Sequence, residues 1–169
     1  MTRKITISAL MVALAMVLSW LEMLIPFNFG IPGIKLGLAN LVVLMALYTL
    51  GARQALLISV VRIILVAVTF GSLSALLYSI AGALLSFLVM FLLSRVKGFS
   101  VIGVSAAGGV AHNMGQLIVA SLVVENLNLL LYGPVLAIAG LVTGLLIGVA
   151  DKAALPAVRK ALQENDRRS

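Results

Sequence analysis

Two places in this apolar sequence carry polar side chains of a type and spacing that could take part in chemistry. One stretch carries Gly109, His112, Asn113 and Gln116 at i, i+3, i+4 and i+7. In a helix that spacing gathers them on one face. Three such polar groups would not face lipid. They belong against a cavity or against another helix, where interhelical hydrogen bonds contribute about 0.6–2 kcal/mol each. A cluster of three beside Gly108 and Gly109 exceeds what packing asks for, and it favours a binding pocket. Metal chemistry finds no ligand set: the chain has one His and no Cys, whereas Zn sites need three or four such ligands. A nucleophilic triad would need an acid near His112, and none lies close in sequence.

Arg62 is the second signal. It stands about eight residues into an apolar run, and a charge at the bilayer centre costs at least about 2.5–3.5 kcal/mol. It must face the interior and find an acceptor. That acceptor is Glu22 or Glu125 in an internal ion pair, or the polar headgroup of a bound solute. A loop over residues 25–35 is apolar, aromatic and rich in Pro and Gly. It reads as a lid over the mouth of a bundle, with Asn28, Lys35 and Asn40 at the same end. The candidate substrate-binding set is therefore Arg62, His112, Asn113, Gln116, Asn40, Lys35 and Glu22. No catalytic residue and no cofactor is assigned.

The elements that position these residues are membrane spans. Of 169 residues, 63% are hydrophobic and 10% charged, with a mean hydropathy of +1.23. Soluble domains run near 45–50% and about 25%. Runs 5–21, 36–52, 63–94, 98–124 and 126–150 carry no charge. A spanning helix needs about 20 apolar residues, and residues 54–94 are too long for one. Gly71-Ser72 is the natural turn. The expectation is an all-α integral membrane protein with six spans, about 5–24, 36–50, 54–70, 73–95, 100–124 and 129–150. A tight turn at Gly51-Ala52-Arg53 joins the second and third. Residues 1–150 form the transmembrane domain and 151–169 a basic tail, whose Leu155, Val158 and Leu162 could share one face against anionic lipid.

Lysine and arginine set the orientation. Arg3, Lys4, Arg53, Arg95, Lys97, Lys152, Arg159, Lys160, Arg167 and Arg168 are ten of the twelve cations. All ten fall on one side if both termini are cytoplasmic in a multi-pass cell-membrane protein. The net charge of +7 then reflects topology rather than nucleic-acid binding. Two small-residue patterns offer close helix approach. Gly140, Gly144 and Gly148 would pack within the chain or form a homo-oligomer face. Ala9 and Ala13 offer a smooth strip for a partner.

Two further signatures are missing. Prenyl-diphosphate chemistry needs clustered carboxylates for Mg²⁺, and the five acids Glu22, Glu125, Asp151, Glu164 and Asp166 form no such motif. No G-x-x-x-x-G-K-[ST] loop is present, so the chain is not expected to be an enzyme or to hydrolyse nucleotide itself.

Pro32-Gly33-Ile34-Lys35-Leu36-Gly37-Leu38-Ala39-Asn40-Leu41, then Leu47-Tyr48 and Gly51, resembles the Gx transporter family, also labelled heptaprenyl diphosphate synthase component I. So does Gly108-Gly109-Val110-Ala111-His112-Asn113-Met114-Gly115-Gln116. The two stretches are fairly specific, and the resemblance covers essentially the whole chain. The family in turn is similar to the substrate-binding S components of energy-coupling factor (ECF) transporters. That implies six helices, an outward pocket under the first loop, and docking of Ala9 and Ala13 on a transmembrane coupling protein served by separate ATPases. The implied function is uptake of a small molecule of a vitamin, flavin or quinone/isoprenoid-related class. The alternative is a non-catalytic membrane subunit of heptaprenyl diphosphate synthase, or a partner in quinone-linked redox chemistry.

Overall fold

The computed structural model describes residues 2–24 and 37–167, with side chains over 5–24 and 37–164. Asn28, Lys35 and the expected lid lie outside the described residues. The described elements are helical: α1 (Thr2–Leu24), α2 (Asn40–Thr49), α3 (Ala52–Phe70), α4 (Leu73–Leu93), α5 (Val101–Val123), a 3-10 segment (Leu127–Tyr132) and α6 (Gly133–Arg167). Five are long and apolar enough to cross a membrane. The expected second span is α2, whose ten residues reach about 15 Å at 1.5 Å per residue. That is half of a hydrocarbon core of about 30 Å.

The turns follow from local chemistry. Gly51 takes φ +93° between α2 and α3, a left-handed conformation that glycine adopts without a Cβ clash. Ser72 and Ser100 cap α4 and α5, each hydroxyl accepting from a backbone N–H three residues on, at 3.1 Å. These bonds satisfy N–H groups that have no partner within the helix. After α5 the chain turns at Glu125, φ +53°, and Asn126 N–H reaches back to the Ser121 carbonyl at 3.0 Å.

α2 is the centre of the molecule. Val42, Val43, Leu44, Met45 and Ala46 are all buried, and α2 touches all five other α-helices. A helix that is apolar all round belongs in such a core. The main core cluster joins these residues to Met11 and Ala15 of α1, Ile58 of α3, Met90 of α4, Val104 of α5 and Leu155 of α6.

α5 is the other packing hub, and its glycines let it approach both neighbours. Gly109 meets the Gly140 carbonyl so closely that a Cβ there has no room. Gly144 sits on Ser105 and Ala106, and Gly148 on Ile102. On the other side Gly115 lies against Ala81 and Gly82 of α4. The α6 glycine edge is thus occupied by α5 within the chain, and the homo-oligomer face expected of Gly140, Gly144 and Gly148 is corrected accordingly. The boundary at residue 150 also marks no break. α6 runs on through Pro156 to Arg167, and Leu155 enters the core with Val158 packed beside it. Those two residues thus pack against the bundle core rather than standing on a separate lipid-facing tail.

The bundle has two unlike ends. Ile5, Ser8 and Ala9 of α1 lie beside Arg53 and Gln54 at the start of α3, and Arg159 of α6 donates to the Tyr48 carbonyl at 3.3 Å. The start of α1 and the end of α6 therefore lie at one end of the bundle, here called proximal, which also carries Arg95, Lys97, Lys152 and Lys160. Glu22, Gly71-Ser72 and Glu125 mark the distal end.

Candidate functional site

Polar residues converge in the distal half of the bundle. Arg62 points inward from α3, 4% exposed, and its Nη1 donates to Ser19 Oγ at 3.3 Å. Ser19 lies one turn before Glu22 on α1. The charge that faces Arg62 is the Glu22 carboxylate, itself buried. Glu125 is exposed at its turn, so of the two acids considered for Arg62 the structure supplies Glu22. Glu22 also accepts a short hydrogen bond from the backbone N–H of Gly37. One carboxylate thus joins the end of α1, the charged residue of α3 and the approach to α2.

Gly37 is held at φ +87° and leads into α2 through an Asn40 N–H to Gly37 carbonyl bond of 2.9 Å. A Cβ at Gly37 would stand 2.9 Å from His112 Cδ2. On the other side of the imidazole, a Cβ at Gly82 would stand 3.1 Å from His112 Cε1, and 2.7 Å from Gln116 Cγ. The ring of His112 thus lies between two glycines, one before α2 and one in α4. Its Nε2 is 2.8 Å from the Gln116 amide nitrogen, an i, i+4 pair on α5. Asn40 stands at the start of α2 and donates to Ser86 Oγ of α4 at 3.4 Å.

The sequence places Gly109, His112, Asn113 and Gln116 on one face, and the structure divides that face. At about 100° per residue the four cover an arc wide enough for two neighbours. His112 and Gln116 turn to α4 and Gly37. Gly109 and Asn113 turn to α6, where the Asn113 amide donates to the Leu136 carbonyl at 2.8 Å. Asn113 ties helices together. Arg62, Glu22, His112, Gln116 and Asn40 gather around Gly37. Lys35 lies outside the described residues.

Sequence reasoning missed Ser19, Ser86, Gly37 and Gly82 as parts of this site. Ser19 was findable, since it shares a helical face with Glu22. Gly82 was not, because its role depends on which helix α4 meets. Among groups of His, Cys, Asp and Glu in the described residues, none could hold a metal ion.

At the proximal end Ala9 lines an open groove of about 570 Å³ between α1 and α3, with Ser8, Val12, Arg53, Leu57 and Val61. Ala9 and Ala13 are both exposed, so this strip is not used in packing the chain's own helices.

No curated protein and no solved structure matches the chain. One family model does match, over residues 11–154, which takes in α2 to α5 whole, α1 from Met11 onward and α6 as far as Ala154. By that match the chain belongs to the family described as heptaprenyl diphosphate synthase component I.

Proposed function

We propose that the chain is a membrane-embedded solute-binding subunit, similar to an ECF transporter S component, that takes up a small molecule with energy from a separate ATPase. The observation that carries this reading is the buried chain Ser19–Arg62–Glu22–Gly37, ending on a His112 ring held between two glycines. Apolar packing alone has no use for a buried cation, an anion and an imidazole in one half of a bundle. A polar or anionic solute does: Arg62 offers charge, Asn40 and Gln116 offer amides, and Glu22 gives way or shares its cation. The groove at Ala9 fits the second requirement, a surface for a coupling protein, because small side chains permit close helix approach in lipid. In this reading both termini are cytoplasmic, the cation-rich proximal end faces inward, and the distal site faces outward. The class of solute is a vitamin, a flavin or a quinone/isoprenoid-related compound.

The family description favours a second reading. "Component I" names one part of a complex, and the chain would then be a non-catalytic membrane subunit beside a prenyl synthase. Native mass spectrometry of the purified protein, with identification of co-purified chains, separates the two. A bound small molecule that is lost in His112→Asn, together with ATPase partners, supports uptake. An empty protein that retains a soluble prenyl synthase supports the subunit reading and overturns the first.

A further inference from the structure

Asp151 lies far from the distal site, in the proximal half of α6. It is 0% exposed, and neither carboxylate oxygen has a hydrogen-bond partner among the described residues. Its neighbours along α6 show what surrounds it. Gly140, Gly144 and Gly148 descend α5 turn by turn, and Leu155 sits in the core cluster with Leu44 and Met90. Asp151 continues the same buried stripe between Gly148 and Leu155. An ionised carboxylate left there without donor or counter-ion would be severely penalised, and such a group takes up a proton instead.

We propose that Asp151 is a proton-binding site, and that release of its proton undocks the proximal end of α6 from α2 and α5. The charged and titratable groups around it fit this role. α5 carries none between Val101 and Ala111, and α2 brings only Tyr48. The turn before α5 brings Arg95 and Lys97, both exposed, with Arg95 stacked over Phe91 at 4.1 Å. On α6 itself Lys152, Arg159 and Lys160 are exposed. Arg159 is held on the Tyr48 carbonyl, and Lys160 is 3.9 Å from Glu164. Among the described side chains these cations form a rim, and none donates a hydrogen bond to Asp151. When the proton passes to water, the carboxylate gains solvation and rim cations only by turning outward. The site stands apart from the solute-binding reading and does not depend on it.

Two measurements test this. Infrared spectroscopy of the protein in nanodiscs at neutral pH should show a protonated-carboxyl stretch that shifts in D₂O and vanishes in Asp151→Asn. Absence of that band in the unsubstituted protein overturns the proposal. The second uses the lack of native Cys. Ala46→Cys places a thiol on the buried part of α2. Its labelling rate should rise several-fold more steeply from mildly acidic to mildly alkaline pH with Asp151 present than with Asp151→Asn, which carries the same thiol chemistry. Equal pH profiles in the two backgrounds overturn the proposal. So does a labelling rate set by sodium at fixed pH, which would make the ligand a metal cation.

Discussion

Gly82 is the position where one methyl group decides most about the distal site. A Cβ there would meet Gln116 Cγ at 2.7 Å and the His112 carbonyl at 2.8 Å. The side chain can shift but the carbonyl belongs to α5, so Gly82→Ala must push α4 and α5 apart. Overpacking of this kind costs about 1–3 kcal/mol, and thermal unfolding in nanodiscs should show it as a lowered midpoint. Arg62 offers a sharper test. Arg62→Met leaves Glu22 buried beside no cation, and breaking a buried pair costs about 3–5 kcal/mol. Adding Glu22→Gln should recover a large part of the loss, since the amide oxygen still accepts from Gly37. A double variant no more stable than Arg62→Met would show that Arg62 and Glu22 are not coupled. That Arg62 needs an interior acceptor was legible from the cost of burying its charge, but the choice of Glu22 over Glu125 was not. The glycine walls around His112 were not, because nothing in a one-dimensional spacing says which helix faces which.

The helices themselves were largely legible, and the exceptions have physical causes. α3, α4 and α5 begin and end within two residues of the apolar limits, because charges, Gly71-Ser72 and serine caps all act locally. α6 departs most. The sequence puts its end at the first acid after a charge-free run, yet α6 continues for another four turns because Leu155 and Val158 have the core to bury against. The shared face of α5 was right as periodicity and incomplete as geometry, since two helices divide it. That division separates two kinds of substitution. Gly109→Ala meets the backbone of α6 and should destabilise more than Gly82→Ala, whose nearest obstacle is a side chain; paired unfolding curves rank them. The α1 strip should behave in the opposite way. Ala9→Trp with Ala13→Trp points bulk into open space, so folding and solute binding should persist while pull-down of a coupling partner falls. Full partner retention by a well-folded double variant would remove this strip as the docking surface.

At the scale of the whole molecule, charge and geometry agree on one axis. The proximal end gathers Arg53, Arg95, Lys97, Lys152, Arg159 and Lys160, while Glu22 and Glu125 mark the distal end. Lysine and arginine are retained on the cytoplasmic side during insertion, so the proximal end should face the cytoplasm. Two exposed or half-exposed turns report on this without disturbing the core. Ser72 lies at the distal turn before α4, and Ala52 at the proximal turn between α2 and α3. Because the chain has no cysteine, each single substitution gives an unambiguous signal. Ser72→Cys in intact cells should react with a membrane-impermeant thiol reagent, and Ala52→Cys should react only after the membrane is opened. The two outcomes are linked through α3, whose 19 residues make about 28 Å at 1.5 Å per residue, enough to separate the turns by one hydrocarbon core. Labelling of Ala52→Cys from outside with protection of Ser72→Cys would invert the molecule. The buried site at Gly37 would then open to the cytoplasm, and a role in uptake from outside would fail with it.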